Sequence, residues 1–278
     1  MPKRSAEALI SPRPKIPRRA VAATPPASNL ASLSILISEF EHEGSVQAAT
    51  RAARFFKTGP GQYGEGDQFL GITVPVTRTY ARRMLNYELP AIKTHLLESP
   101  YHEKRLLGWL AVTQQFQAAR KRNDEATMLC HKNFYLANTA TLNNWDLVDS
   151  TADKILGVYL HDHAESETGA QDGSYDVLTR LARAPSLWER RIAIIATFHF
   201  IRMGATAETL RVAALLLSDT EDLIHKAVGW MLREAHKRDA QAVDDFLVMH
   251  ARDMPRTMLR YTLERFDADR RRHFMMLK

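Results

Sequence analysis

From Leu30 onward apolar residues recur at helical spacing. Leu33, Leu36, Ile37 and Phe40 share one face, as do Leu106, Leu107, Leu110 and Val112 with Phe116. Leu187, Ile194, Ile195, Phe198 and Ile201 repeat the pattern, and so do Leu223, Ala227, Val228 and Met231. An i, i+3, i+4 recurrence puts such residues on one stripe of an α-helix. Breakers separate the runs: Pro75, Pro90, Pro100, Asn123, the 169–173 stretch, Pro185, Gly204, Asp219, Asp239 and Pro255. No stretch alternates with period two long enough to support a sheet. The pattern therefore predicts an all-α protein of about a dozen short helices with brief connections. Antiparallel pairs of about 40 residues have the size of HEAT or armadillo units. No literal repeat is visible, so period and composition leave a compact bundle open beside an α-solenoid. A solenoid would offer a concave wall able to hold an extended partner such as a duplex.

Charge divides the chain into two parts. Residues 1–30 hold Lys3, Arg4, Arg13, Lys15, Arg18 and Arg19 against Glu7 alone, a net +5 out of +6 for all 278 residues. They also hold six of the 12 prolines, and proline with sparse apolar content opposes collapse. Residues 1–30 read as a disordered basic tail, either a solubilising leader or an arm that grips nucleic acid by counterion release. Residues 31–278 read as the folded body, nearly neutral, so a nucleic-acid surface there has to be a local patch. No apolar run reaches bilayer length and the opening residues lack a signal core, which points to a cytoplasmic protein, nucleoid-associated in a bacterium. The single cysteine, Cys130, excludes an internal disulfide and a cysteine-based zinc site.

Residues 59–71 (GPGQYGEGDQFLG) carry five of the 12 glycines. No lysine follows a glycine there and no strand precedes it, so the segment reads as a loop ahead of a helix over 74–86 and not as a phosphate loop. Three segments hold candidate chemistry. In the first, Asn144 is a plausible N-cap that explains Asp146 by the helix dipole, while Trp145 and Asp149, four apart, place an indole and a carboxylate on one face. In the second and third, Trp188 and Trp230 are each followed three residues later by an arginine, Arg191 and Arg233. Packing accounts for most tryptophans in helical proteins, and Trp109 is assigned to the core. His161 and His163, flanking Asp162, read as a solvated turn and not as a metal site. No metal and no cofactor is expected.

Taken together these residues resemble a known family. Phe69-Leu70-Gly71-Ile72 with Val74-Pro75, Asn144-Trp145-Asp146 through Asp149, Leu187-Trp188 with Arg191, and Lys226-Ala227 with Gly229-Trp230 and Leu232-Arg233-Glu234 match in order the HEAT-like DNA alkylation repair glycosylases of the AlkD type. The resemblance spans residues 33–265. It implies an α-solenoid of HEAT-like antiparallel helix pairs with a concave face for double-stranded DNA. It implies a monofunctional glycosylase excising cationic N3- or N7-alkylated purines such as 3-methyladenine and 7-methylguanine, with a monomer sufficient. Carried over by position, Asp149, Trp145 and Trp230 are catalytic, and Arg191, Arg233 and Tyr63 lie on the DNA. It further implies that the lesion stays stacked, so that bulky adducts are tolerated. A non-catalytic HEAT-repeat scaffold binding DNA or protein is the alternative.

Overall fold

The computed structural model describes residues 27–163 and 174–277, and among these every regular element is a helix. The described residues begin with α1 (Ala27–His42), α2 (Val46–Phe55) and α3 (Val74–Arg82). A short α4 (Leu89–Ile92) is followed by α5 (His102–Lys121), α6 (Glu125–Ala137), α7 (Trp145–Thr151) and α8 (Val158–Asp162). Then come α9 (Ser174–Ala182), α10 (Leu187–Arg202), α11 (Ala207–Leu215), α12 (Asp222–His236), α13 (Ala240–His250), α14 (Arg256–Thr262) and α15 (Ala268–Met276). The expected all-α solenoid is what the chain adopts. Helices α3, α5, α7, α10, α12 and α14 pack one against the next as one layer, and α6, α9, α11 and α13 lie against it from the other side.

Local sequence explains the helix ends. Ser45, Asp124, Asn144, Asp239 and Asp267 each accept a backbone N–H of the first turn, satisfying donors that the helix leaves unpaired. Pro75 and Pro90 sit in the first turns of α3 and α4, where a missing N–H costs nothing. The predicted apolar faces are buried: Leu33, Leu36 and Phe40 on α1, Leu106, Leu107 and Phe116 on α5, Ile194, Ile195 and Ile201 on α10. Trp109 is fully buried as expected and donates its indole N–H to Thr141 at 3.1 Å. No helix among the described residues is long and apolar enough to cross a membrane.

Three details differ from the sequence reading. The assigned tail, residues 1–30, lies largely outside the described residues, and its last four residues, 27–30, already belong to α1. The helix expected over 74–86 stops at Arg82 and continues as turns. Two helices carry a π-turn: Glu98 N–H bonds Lys93 O at 3.1 Å and Gly157 N–H bonds Ala152 O at 2.9 Å. Each inserts a residue that periodicity alone does not reveal.

Glycine allows a close helix contact in the layer. A Cβ on Gly229 of α12 would lie 2.5 Å from Met258 O and 2.5 Å from the Tyr261 Cβ of α14. Alanine gains about 1 kcal/mol of helix propensity over glycine, but here the obstacle is backbone and cannot rotate away. Gly229→Ala is therefore expected to lose about 1–2 kcal/mol net, read as a lowered urea midpoint with unchanged slope; equal or greater stability would show that α12 and α14 can separate freely.

Candidate functional site

The helix that bears Trp145 and Asp149 is fixed at its start. Buried Asn144 accepts the Trp145 N–H at 2.8 Å through Oδ1 and donates through Nδ2 to Asp67 at 3.2 Å. Asp146 accepts from His102 Nε2 at 2.8 Å, while His102 Nδ1 lies 3.5 Å from Asp67. Arg105 donates to Asp67 at 2.6 Å and to Ser99 O at 2.9 Å. Glu103, also buried, accepts the backbone N–H groups of Leu70, Gly71 and Ile72 at 2.9, 2.8 and 3.3 Å. A single parallel bridge of Gln68 with Tyr101 completes the attachment. The start of α5 thus ties the end of the glycine-rich loop to the start of α7. Gly71 has φ +78°, and a Cβ there would meet Ser45 O at 2.2 Å, so only glycine fits.

This network is charged. Burial alone would favour a neutral His102, but hydrogen bonds to Asp146 and Asp67 outweigh it and raise the ring to about 9. Burial likewise opposes ionisation of Asp67, and its bonds to His102, Arg105 and Asn144 bring it below the ordinary carboxylate value.

Aromatic rings then build the wall. The Trp145 indole stacks on Phe56 (centroids 5.4 Å, 29°), meets Phe55 edge-on (5.9 Å) and donates Nε1–H to Tyr63 Oη at 3.1 Å. Trp188 props the Tyr63 ring edge-on at 6.1 Å. Burial raises the Tyr63 hydroxyl above its ordinary value, so it remains protonated and able to donate onward. Across the cleft Trp230 rests on Phe198 at 5.7 Å.

Asp149 lies one turn along from Trp145. Its carboxylate accepts a two-pronged bond from Arg191, Nε to Oδ1 at 2.9 Å and Nη2 to Oδ2 at 2.8 Å, and Arg191 Nη1 donates to Leu223 O at 2.5 Å. The Arg191 side chain is 6% exposed and that of Asp149 18%. Burial raises Asp149 above its ordinary value, assisted by the Asp146 and Asp153 charges, and Arg191 pulls it back. Arg191 therefore opposes, without fully offsetting, the burial that favours the neutral acid.

Tyr63, Trp145, Asp149, Arg191, Trp230 and Arg233 all line one cleft of about 760 Å³. The carboxylate is ion-paired yet open to this cleft, not walled off from it. Arg191 is turned inward onto Asp149 and Leu223, which suits a residue that orients the carboxylate better than one reaching outward. Arg233 pairs with Glu264, itself largely exposed, and its Nε lies 3.7 Å from Glu234. Phe55, Lys57, Glu221, Asp222, Leu223, Lys226 and Tyr261 complete the lining, and none of them was given a site role from sequence. Lys57 stands at φ +53° where α2 turns into the loop, and no spacing rule locates it. Lys226, bonded to Asp222 at 2.7 Å, precedes Trp230 by one helical turn and could have been found that way.

Beside the carboxylate of Asp149, Glu221 and Asp222 also line this open cleft, with two indoles and four cationic side chains, Lys57, Arg191, Lys226 and Arg233. The chain belongs to the DNA alkylation repair enzyme family, whose model matches residues 36–266. Among solved structures it is similar to a predicted DNA alkylation repair enzyme from Enterococcus faecalis, with TM-score 0.61 and 15% identity over 81% of this chain and 98% of that one. No curated protein matches the chain.

The sign of the His102 shift gives a test. A ring raised from 6.5 to about 9 stabilises the fold fully below pH 6.5, and this contribution fades as pH rises through about 9. The amount at stake is on the order of 3 kcal/mol. Unfolding followed by denaturant between pH 6 and 10 should show wild type losing stability across the upper part of that range, with a flatter profile for His102→Gln. Parallel profiles would mean that the imidazolium contributes nothing.

Proposed function

We propose that the chain is a monofunctional DNA glycosylase that hydrolyses the N-glycosidic bond of cationic N3- or N7-alkylated purines in duplex DNA. The observation that carries the proposal is the carboxylate of Asp149, gripped by both prongs of Arg191 in a cleft shared with Trp145 and Trp230. Glycoside hydrolysis ordinarily takes two carboxyl groups, one protonating the leaving group. A purine alkylated at N3 or N7 already bears positive charge. When its bond to C1′ breaks, the electron pair leaves with the base, which departs neutral without an acid. The sugar is left oxocarbenium-like, and one carboxylate suffices to stabilise it and to guide the water that adds to C1′. The proton shed by that water passes toward the carboxylate. The indoles of Trp145 and Trp230 add attraction for the cationic sugar through their π faces.

In this reading Arg191 orients Asp149, and Arg233 and Tyr63 meet the DNA backbone, with Lys57 and Lys226 supplying further positive charge. A monomer suffices and no cofactor takes part. A non-catalytic scaffold would bind duplex in a salt-sensitive manner without releasing base.

Asp149→Asn keeps the shape and one acceptor for Arg191. It is expected to cut the single-turnover rate of release of 3-methyladenine or 7-methylguanine from methylated duplex by about 10²-fold or more, with duplex affinity largely kept. Wild-type excision by that variant would defeat the assignment, and absence of base release by wild type would favour the scaffold. Arg233→Ala should weaken binding alike for all sequences and lower the slope of log affinity against log salt by about 1; an unchanged slope would remove Arg233 from the interface.

A further inference from the structure

Far from the cleft, the C-terminal ends of α8 and α10 meet. His161 and Asp162 close α8, and His199 lies in the last turn of α10. One ligand atom from each of the three lies within 4.8 Å of the others. The two imidazoles meet edge-on with centroids 5.2 Å apart. His199 is only 4% exposed, and its Nε2 is buried without a hydrogen-bond partner. A buried polar atom left unpaired is costly and calls for a partner that protein atoms do not supply. His163, which the sequence places beside this pair, is committed elsewhere: it bonds Glu125 at 2.8 Å and Tyr159 O at 2.7 Å. The third residue instead comes from α10.

We propose that His161, Asp162 and His199 bind a borderline transition-metal dication of the Zn²⁺ class. Two imidazoles and one carboxylate favour Zn²⁺, Co²⁺ or Ni²⁺ over Mg²⁺ and Ca²⁺, which prefer all-oxygen sets. Arg120 donates to both Asp162 oxygens, at 2.7 and 3.0 Å, and fixes the carboxylate while each oxygen keeps a second lone pair. Arg120 and Arg202 both bring positive charge to His199, and each is paired with a carboxylate, Arg120 with Asp162 and Arg202 with Asp153 at 2.6 Å. His161, 29% exposed, gives an ion access from solvent. Three protein ligands leave a position for water. The ion would clamp the far ends of the two helical segments whose near ends carry Asp149 and Arg191.

Metal-free full-length protein titrated with Co²⁺ should develop the visible absorption of a bound ion that Zn²⁺ abolishes, and Zn²⁺ should raise the melting temperature. His161→Asn, at a partly exposed position, should weaken the Zn²⁺-dependent component at least tenfold, and His199→Asn should do so as well. Cys130→Ser should leave it intact. No saturable binding, or binding unchanged in folded His161→Asn, would overturn the site. None of these readouts depends on base excision, so this inference and the proposed activity fail separately.

Discussion

The two-pronged bond from Arg191 to Asp149 joins α10 to α7 at the floor of the cleft. Its geometry is that of a strong charge-assisted pair, and it lies where burial works against any isolated charge. Without the guanidinium the carboxyl would be driven further toward its neutral form. Without the carboxylate the guanidinium would be left nearly buried with only the Leu223 carbonyl. Each group is the condition for the other, and the spacing of α7 from α10 follows from keeping both.

Around that bond the molecule is arranged in shells of decreasing polarity restraint. Below Trp145 lies the buried set of Asp67, His102, Glu103, Arg105, Asn144 and Asp146, every member tied to loop or helix start. Around it lie the rings of Phe55, Phe56 and Tyr63, with Trp188 behind Tyr63, whose contacts are broad and weakly directional. Position is set by charge from beneath, and shape is filled in by aromatic surface facing the cleft.

Much of this was legible along the chain. Helical class followed from period alone, because buried faces such as Leu33, Leu36 and Phe40 recur at fixed intervals. Trp145 and Asp149 could be paired because four residues make one turn. The Asn144 cap was readable for the same reason. What escaped was long-range: His102 and Glu103 look like ordinary polar residues at a helix start, and nothing nearby signals that they reach residues 67–72 and Asp146. Phe55 and Phe56 end a helix whose apolar stripe gives no hint of a tryptophan some ninety positions on. Spacing set Arg191 on one face with Trp188 but could not reveal that it turns onto Asp149 and Leu223. Such facts depend on how helices cross, which local pattern does not encode.

The pairing of Arg233 with Glu264 has a bearing on selectivity. An anion arriving at that arginine does not meet bare positive charge; it must evict a tethered carboxylate already in place. Entry becomes an exchange of one negative group for another, with a correspondingly small net gain. Stray mononucleotides or inorganic anions, each offering a single contact, gain little from that exchange, whereas a polymer that engages several such positions at once can sum many small gains into firm attachment.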